Sequence, residues 1–252
     1  MLQEERFEYI LSELNRKSAV KVAELAVDLK TSESTVRRDI TELDEMGKLK
    51  KVFGGAVSIS GSINTVDADM TTRQTENVCQ KETIAKYAAS LINEGDFVFI
   101  DAGTTTEHMI KYIDSGLRDS AFFVTNGITH AMLLNRRGFR TYVPGGILKA
   151  STEAIVGASA VEYIKECNFD KCFMGVNGID MVKGFTTPDM DEARVKTAVM
   201  KNSYMAYVLS DSTKFGNVSS VTFAKIKSAC VITDSIPDQA YSKLTVIKEV
   251  KE

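Results

Sequence analysis

The segment FIDAGTTTEH, residues 99–108, combines residue types that can bind a phosphate group. Gly103 lets the backbone approach an anion closely, and Thr104, Thr105 and Thr106 supply hydroxyl groups. An apolar run, DFVFI, typical of a buried strand, precedes the glycine, and a helix-like pattern follows it. The start of that helix offers N–H groups and the positive end of a dipole. A tight strand-to-helix turn with capping threonines explains the same residues equally well.

Asp101 lies in the same segment but cannot favourably face a phosphate, because both groups are negatively charged. We expect its carboxylate to accept hydrogen bonds from sugar hydroxyls or from backbone amides of the loop. The segment therefore suits a ligand that carries both a phosphate and hydroxyl groups.

Further polar residues and glycines follow later strand-like runs. Asn126, directly after Thr125, could bond a sugar hydroxyl or form an Asx-type turn. Gly145 lies in a Pro-Gly-Gly segment that suits a closely approaching ligand or a plain surface turn. Asn177 closes the run FMGV and could face the same crevice. Lys214 could pair with a phosphate or a carboxylate, or extend into solvent.

Strand-like and helix-like runs alternate from Lys81 onward. Short apolar runs such as DFVFID, AFFVT, FDKCFMGV, YMAYVLSD, ACVITD and LTVIKEV are separated by patterns such as KETIAKYAASLI and DEARVKTAVMKNS. This alternation predicts an α/β fold with a mostly parallel sheet. Such sheets bind ligands beyond the carboxyl ends of their strands, which is where DAGTTT, TNG and GVNG lie.

The helix that follows Pro188 begins with an acidic turn. We interpret Asp189, Asp191 and Glu192 mainly as helix caps that suit the dipole. Arg194 and Lys196 are expected on the solvent side of this helix or at a subunit contact.

The first part of the chain predicts three short helices. Residues 4–15 and 21–30 each have one apolar face, and a third helix is expected over Glu33–Met46, ending at Gly47. Within the third helix, Val36, Ile40 and Leu43 share one face. That spacing turns Ser34, Arg38 and Thr41 outward, with Arg37 on the flank. Hydroxyls and guanidinium groups near a helix N-terminus suit the major groove of DNA.

A basic hairpin is predicted after the third helix. The segment KLKKVFGGAVSI contains two short strand-like pieces around Gly54 and Gly55, with lysines along the first piece. Three helices and such a hairpin form a winged helix-turn-helix, in which the lysines would contact phosphates. An ordinary helical subdomain with a charged outer face is the alternative. The residues predicted to contact DNA are Ser34, Thr35, Arg37, Arg38, Thr41, Lys48, Lys50 and Lys51.

The segment SESTVRRDITELDEMGKLKKVFGGAV resembles the DNA-binding signature of DeoR-type bacterial repressors. In that signature a hydroxyl-rich turn precedes T-[VI]-R-R-D-[LI], and a basic wing ends in H-G-G-A. Phe53 stands where the family usually has histidine, so a wing contact made by that imidazole is not expected in this chain. The resemblance implies that the N-terminal module binds double-stranded operator DNA.

The resemblance continues through DAGTTT, TNG, PGG, VNGID, GFTTPD and SDSTKFG, which occur in the order seen in the family's sensor domain. That domain is similar to ribose-5-phosphate isomerase, which implies a phosphorylated sugar as effector. The predicted effector-binding residues are Asp101, Gly103, Thr104, Thr105, Thr106, Thr125, Asn126, Gly145, Asn177 and Lys214. The combination VNGIDMVKGFTTPDMDEA with SDSTKFG looks most like repressors of fructose operons, which implies fructose 1-phosphate.

The expected organisation is a winged helix-turn-helix domain over residues 1–57, a polar linker over 58–78 and an effector domain over 79–252. Winged modules bind weakly alone, so a homo-oligomer is expected to place two or more of them on operator half-sites. The resemblance implies repression of a sugar-use operon that the bound phosphosugar relieves.

An active sugar-phosphate isomerase with an appended module is one alternative function, and a DNA-binding protein that responds to a protein partner or to no ligand is another. Such an enzyme needs a carboxylate base near the reacting carbons, and comparable enzymes carry paired acids in a D-G-A-D-like turn. The corresponding stretch here looks like Gly175–Asp180, in which neutral Asn177 holds the first acid position. No catalytic residue is therefore predicted.

Composition excludes several other classes of protein. The chain has 252 residues, a formal net charge of −3 and no apolar run near the ~18 residues of a membrane span. The charged N-terminus does not resemble a signal peptide, so a cytoplasmic protein without a membrane partner is expected. The 4 cysteines form no CxxC pair, and with 2 histidines they predict buried apolar side chains rather than a metal site. No cofactor is expected.

Overall fold

The computed structural model describes residues 2–17, 19–57 and 70–251, which fall into two compact units. One unit holds the described residues up to Val57, and the other holds nearly all of those from Met70 onward. No helix in these ranges is long and apolar enough to cross a membrane.

The N-terminal unit contains three helices and a small antiparallel sheet within the described residues. The helices are α1 (Gln3–Lys17), α2 (Val22–Asp28) and α3 (Glu33–Glu45), and the strands are β1 (Ala19–Lys21), β2 (Lys50–Val52) and β3 (Gly55–Val57). The strand order is β1-β3-β2. This arrangement confirms the winged helix-turn-helix. Strand β1 was not predicted, because three residues are too few to show an alternating pattern.

Helix α3 forms as its sequence predicts, to within one residue. The Ser32 hydroxyl accepts a hydrogen bond from the Thr35 N–H at 3.2 Å, which caps the helix start. Gly47, at φ +68°, follows the last turn in the left-handed region where glycine is favoured. Val36, Ile40 and Leu43 are buried among the other helices of the unit.

The wing turns at Phe53 and Gly54, one residue earlier than the Gly54-Gly55 turn that the sequence suggests. Gly55 lies within β3 and pairs with Lys21 of β1. A side chain at Gly55 would collide with the backbone carbonyl of Val20, so the third strand requires glycine there. Phe53 is fully exposed at the tip.

The C-terminal unit contains a larger α/β assembly. Its described helices are α4 (Met70–Thr75), α5 (Val78–Ala89), α6 (Thr104–Tyr112), α7 (Ile128–Arg136), α8 (Ala158–Lys165) and α9 (Met190–Lys201). Its described strands are β4 (Phe97–Ile100), β5 (Phe122–Thr125), β6 (Arg140–Tyr142), β7 (Ile147–Lys149), β8 (Ala154–Val156), β9 (Phe169–Gly175), β10 (Gly178–Asp180), β11 (Gly184–Thr187), β12 (Ser203–Leu209), β13 (Val221–Ala224), β14 (Cys230–Thr233) and β15 (Ile247–Glu249).

Seven of these strands form one parallel sheet in the order β15-β14-β12-β9-β4-β5-β6. The chain lays β5 and β6 on one side of β4 and then returns to place β9 on the other side. The order therefore reverses between β4 and β9. In open α/β sheets, ligands bind beyond the carboxyl ends of the strands at such a reversal. An antiparallel sheet, β10-β11-β13, and the hairpin of β7 and β8 complete the unit.

Alternating side chains of the parallel strands fill two cores. Phe99 and Met174 pack on the face that carries α8 and α9, whereas Ile100 and Phe173 pack on the face that carries α5 and α6. Each fully buried side chain of this size contributes about 1.5–3 kcal/mol relative to exposure. The two cores fix the sheet edge at which the predicted site residues lie.

Two expectations from the sequence, on the linker and on the cysteines, differ from the structure. The predicted linker 58–78 lies outside the described residues up to position 69, and from Met70 to Thr75 the chain is helical. Only Cys172 is buried, whereas Cys79 is exposed and Cys167 and Cys230 are half-buried. The expectation that all the cysteines are core residues was therefore wrong, because Cys79 lies on the outer face of α5.

Candidate functional site

A cleft lies beyond the carboxyl ends of β4, β9 and β12, at the point where the strand order reverses. Loops after these strands and the start of α6 form its floor and walls. Its polar lining residues are Arg73, Glu76, Asn77, Lys81, Gly103, Thr104, Thr105, Thr152, Asn177, Glu192, Lys196, Ser210, Asp211 and Lys214. Five predicted residues, Gly103, Thr104, Thr105, Asn177 and Lys214, thus meet in one cleft.

The start of α6 provides the part of the cleft best suited to an anion. Gly103 precedes the helix and gives it no side-chain cap, so the first N–H groups are left for a ligand. Thr104 and Thr105 add their hydroxyls to this end of the cleft. The predicted phosphate-binding geometry at DAGTTT is therefore available, although the binding itself stays a prediction.

Four basic side chains line the same cleft: Arg73, Lys81, Lys196 and Lys214. Lys81 is only 4% exposed, and burial lowers the pKa of its ammonium although the Asp211 carboxylate opposes that shift. Asp211 also accepts a hydrogen bond from the Thr213 N–H at 3.0 Å, which caps the short 3-10 helix that carries Lys214. A dianionic group would offset the repulsion that Arg73 and Lys214 exert on the Lys81 ammonium.

Lys196 is buried, and its expected place on the solvent side of α9 was wrong. Its ammonium is hydrogen-bonded to Asp101 and donates to the Gly175 carbonyl at 3.1 Å. Asp101 in turn accepts the Gly175 N–H at 2.9 Å. Burial raises the pKa of the Asp101 carboxyl, and the charge of Lys196 opposes that rise. The pair joins α9 to the ends of β4 and β9 directly below the cleft.

Glu192, which sequence reasoning treated mainly as a cap, brings a carboxylate into the cleft. The capping role belongs to Asp189, which accepts the N–H groups of Asp191 and Glu192 at 2.9 Å. The Glu192 side chain instead accepts hydrogen bonds from Lys149 at 2.9 Å and from Thr152 at 2.7 Å. A sugar hydroxyl could donate to the same carboxylate. The spacing DEAR gave no hint of this, because Lys149 and Thr152 lie about forty residues earlier.

The other predicted effector residues lie outside the lining of the cleft. Thr106, Thr125 and Asn126 are buried, and Gly145 is exposed on the turn before β7. The Thr106 hydroxyl donates to the Asp101 carbonyl at 2.6 Å. Asn126 accepts the Ala102 N–H at 2.9 Å, which ties the loop after β5 to the loop after β4. The side chains of Thr106 and Asn126 therefore shape the loops beside the cleft.

His130 also supports the loop between β4 and α6, and sequence reasoning missed it. Its Nε2 lies 3.0 Å from the Gly103 carbonyl and 3.1 Å from the Thr106 hydroxyl. Burial lowers its pKa from 6.5 to about 4, so the ring is neutral near pH 7. The sequence contains no separate signal for this role. In the structure, a side chain at Gly127, which precedes His130 in the loop and first turn of α7, would collide with the imidazole ring.

The buried His130 ring is expected to make stability depend on pH. The unfolded chain protonates this ring near pH 6.5, whereas the folded protein does so only near 4. Stability should be fully present above pH 6.5 and be lost as pH falls towards 4, with a loss of about 2 kcal/mol between pH 7 and pH 5. Urea unfolding at both pH values measures it.

Two variants isolate this effect. In His130→Asn the difference between pH 7 and pH 5 should shrink by about 2 kcal/mol. His108→Gln removes the other histidine, which is only half-buried, and should keep the greater part of the difference. Equal pH dependence in the parent and His130→Asn would contradict the assignment.

The residues predicted to contact DNA lie along α3 and the wing. Ser34, Arg37, Arg38, Lys48, Lys50 and Lys51 are exposed, and Thr35 and Thr41 are half-buried. Arg37 forms an ion pair with Glu33 at 3.0 Å. Arg38 forms no hydrogen bond or ion pair within the described residues. Of the two arginines, Arg38 therefore has the guanidinium group that is available to a base edge.

Two contacts set the geometry of this surface. Lys51 of the wing donates to the Thr41 hydroxyl at 2.8 Å, which joins β2 to α3. Asp39 is buried and accepts two hydrogen bonds from Arg6 of α1, at 2.7 and 2.9 Å. The Asp39 hydrogen bonds raise the pKa of the Arg6 guanidinium. The aspartate of TVRRDI thus holds α3 against α1, which leaves the adjacent arginines to face outward.

Comparison with known families identifies both units. Residues 6–62 match the model of the DeoR-like helix-turn-helix domain, and residues 76–235 match that of the DeoR C terminal sensor domain.

In the part of the chain that the structure describes, no cluster of three or more histidine, cysteine or acidic residues could hold a metal ion.

Full-length relatives are found among bacterial regulators. The uncharacterized HTH-type transcriptional regulator FruR of Bacillus subtilis is 41% identical over 254 residues, which covers 100% of both chains. The lactose phosphotransferase system repressor of Staphylococcus aureus is 31% identical over 98% of this chain and 97% of its own. Among solved structures, ribose 5-phosphate isomerase A of Methanocaldococcus jannaschii matches at 16% identity with a TM-score of 0.42, covering 56% of this chain and 55% of that one.

Proposed function

Because this chain belongs to the DeoR family of helix-turn-helix transcriptional regulators, we propose that it represses a sugar-utilisation operon until a phosphorylated sugar binds the cleft. The observation that supports the effector is the composition of the cleft. The open start of α6 and four basic side chains suit a phosphate, while Glu192 and Asn177 suit hydroxyl groups.

We propose fructose 1-phosphate as the ligand. The motifs VNGIDMVKGFTTPDMDEA and SDSTKFG, similar to those of fructose-operon repressors, support this choice over other phosphosugars. The name of the lactose relative refers to a phosphotransferase system, which fits a phosphorylated ligand. The proposed domains are residues 1–57 for DNA and 79–252 for the effector, acting in the cytoplasm.

Operator binding measured by fluorescence anisotropy tests the proposal. Fructose 1-phosphate should weaken binding by about tenfold or more, which corresponds to a coupling free energy within the usual 1–3 kcal/mol. Tagatose 6-phosphate, fructose 6-phosphate, free fructose and inorganic phosphate are the comparison ligands. The proposal fails if none of the phosphosugars changes operator affinity.

We propose binding without catalysis. An isomerase needs a carboxylate base beside the reacting carbons, and neutral Asn177 stands where comparable enzymes carry the first acid. Incubation of the pure protein with pentose and hexose phosphates should leave them unchanged. Isomerisation at a measurable rate would contradict this part of the proposal.

We also propose that the protein acts as a homo-oligomer, since one winged module reads only one half-site. Light scattering in solution, and operators with altered half-site spacing, are the direct measurements. Insertion of five base pairs between half-sites turns them to opposite sides of the duplex and should abolish tight binding. Unchanged affinity for that operator would indicate independent monomers.

The Arg38→Ala variant should lose most of its operator preference. Arg38 is exposed without a partner on α3 within the described residues, so its guanidinium is available to a guanine. We expect about a 10–100-fold loss of specific affinity, corresponding to 1–3 kcal/mol, with weak binding to random DNA retained. Anisotropy with operator and scrambled duplexes measures both.

Two matched variants give this prediction its contrast. Arg37→Ala should cost less, because Arg37 is already paired with Glu33. Lys50→Ala should weaken binding to all duplexes alike. It should also reduce the slope of log affinity against log salt concentration by about one. If Arg37→Ala lowers operator affinity more than Arg38→Ala, the assignment of the base-reading arginine is wrong.

A further inference from the structure

The segment Met70–Asn77 precedes α5 and is the first described part of the chain after residue 57. It consists of α4 and the two residues Glu76 and Asn77. Arg73, Glu76 and Asn77 all line the cleft, although their polar sequence is typical of a linker. Any ligand in the cleft therefore lies beside the stretch of chain that leads back to the DNA-binding unit.

Lys81 connects this segment to the cleft. The Lys81 ammonium donates a hydrogen bond to the backbone carbonyl of Arg73. The backbone N–H of Lys81 donates to the Asn77 carbonyl at 3.0 Å. Asn77 itself adopts the left-handed conformation at φ +50°, which turns the chain from α4 into α5. An ammonium has three N–H donors, so Lys81 can keep the Arg73 carbonyl and still bind an anion.

The charges around Lys81 indicate what an anion would change. Lys81 lies near Arg73, Lys214 and Asp211, and burial lowers its pKa. Arg73 and Lys214 repel the Lys81 ammonium, whereas Asp211 and Glu76 attract it. A phosphate would attract all three cations at once, and the planar guanidinium of Arg73 can bind two of its oxygens.

We propose that Arg73 is an effector-binding residue and that the ligand holds the segment Met70–Asn77 in place through Arg73 and Lys81. This inference rests on the proposed binding of a phosphosugar and names the part of the chain that responds to it. The occupied cleft then fixes one end of the connection to the DNA-binding unit. In the structure Lys81 holds the segment through its hydrogen bond to the Arg73 carbonyl, and a bound phosphate would add contacts to both side chains.

Limited trypsin digestion of the full-length protein tests the proposal, because trypsin cleaves after Arg73. Cleavage of the Arg73–Gln74 bond, followed by mass spectrometry, should slow about tenfold or more at saturating fructose 1-phosphate, as expected when opening of a segment is linked to ligand release. The bond after Lys183 is the internal reference, since Lys183 is exposed on the turn between β10 and β11 and does not line the cleft. Inorganic phosphate is the second probe. It should slow cleavage after Arg73 as well if the phosphate group of the ligand is sufficient to hold Arg73.

Arg73→Gln provides the second measurement. It should weaken fructose 1-phosphate binding by about tenfold in calorimetry, whereas Lys86→Gln, on an exposed position of α5, should leave the affinity unchanged. Normal binding with unchanged cleavage after Arg73, or normal binding by Arg73→Gln, overturns this inference and leaves the proposed function intact. Failure of every phosphosugar to bind the parent protein overturns both.

Discussion

A Thr105→Glu variant is expected to bind operator DNA as the parent does and to lose its response to phosphorylated sugars. Thr105 is half-buried in the first turn of α6 and lines the end of the cleft that suits a phosphate. A glutamate there places a negative charge where the phosphate would bind. We expect ligand affinity to fall more than 100-fold, or about 3 kcal/mol, which operator anisotropy with increasing fructose 1-phosphate would measure.

The substitution should not damage the fold. An acidic side chain in the first turn of a helix is stabilised by the helix dipole by about 0.3–1 kcal/mol, so the melting temperature without ligand should stay the same or rise. The glutamine of Thr105→Gln is nearly the same size as the glutamate but carries no charge, so this variant should lose less than about tenfold in ligand affinity. If Thr105→Glu is released from the operator at the ligand concentration that releases the parent, the phosphate binds elsewhere.

The location of the cleft could be predicted from sequence because it depends on local patterns. The apolar runs identify strands, the glycine and threonines mark the turn after β4, and parallel strands place all such turns at one edge. Gly103, Thr105 and Asn177 consequently meet where they were expected. The same reasoning placed Val36 and Arg38 on opposite faces of α3.

The charged residues of the cleft could not be predicted, because long-range contacts decide their role. Lys196 pairs with Asp101, 95 residues earlier in the chain, and helical periodicity alone cannot distinguish a buried lysine from a solvated one. Arg73 lies in a stretch whose composition suggests a linker, and only its place beside Lys81 indicates otherwise. Asn126 shows the opposite error. It was predicted to bind the effector, whereas in the structure its side-chain amide ties two loops together.

Replacement of Lys196 is expected to cause the largest loss of stability. Lys196→Met should lower the free energy of unfolding by about 3–5 kcal/mol, because the buried Asp101 carboxylate loses its compensating charge. Lys196 is 4% exposed and Asp101 is 1% exposed, so water cannot replace the missing ammonium. Urea unfolding near pH 7 gives the difference. Lys165→Met removes an exposed partner of Glu162 and should cost less than about 1 kcal/mol.

The pH dependence and a double variant separate this charge effect from a simple packing defect. Burial raises the pKa of Asp101 even with Lys196 present, so in Lys196→Met the carboxyl should become protonated more readily. A group whose folded pKa is raised is favourable at low pH, and the cost of Lys196→Met should therefore shrink between pH 7 and pH 5. The double variant Asp101→Asn/Lys196→Met removes both charges, so it should lose about 1–3 kcal/mol less than the sum of the single variants. Purely additive losses would mean that Lys196 stabilises the fold through its packing, and that the charge of Asp101 is compensated by other groups around Gly175.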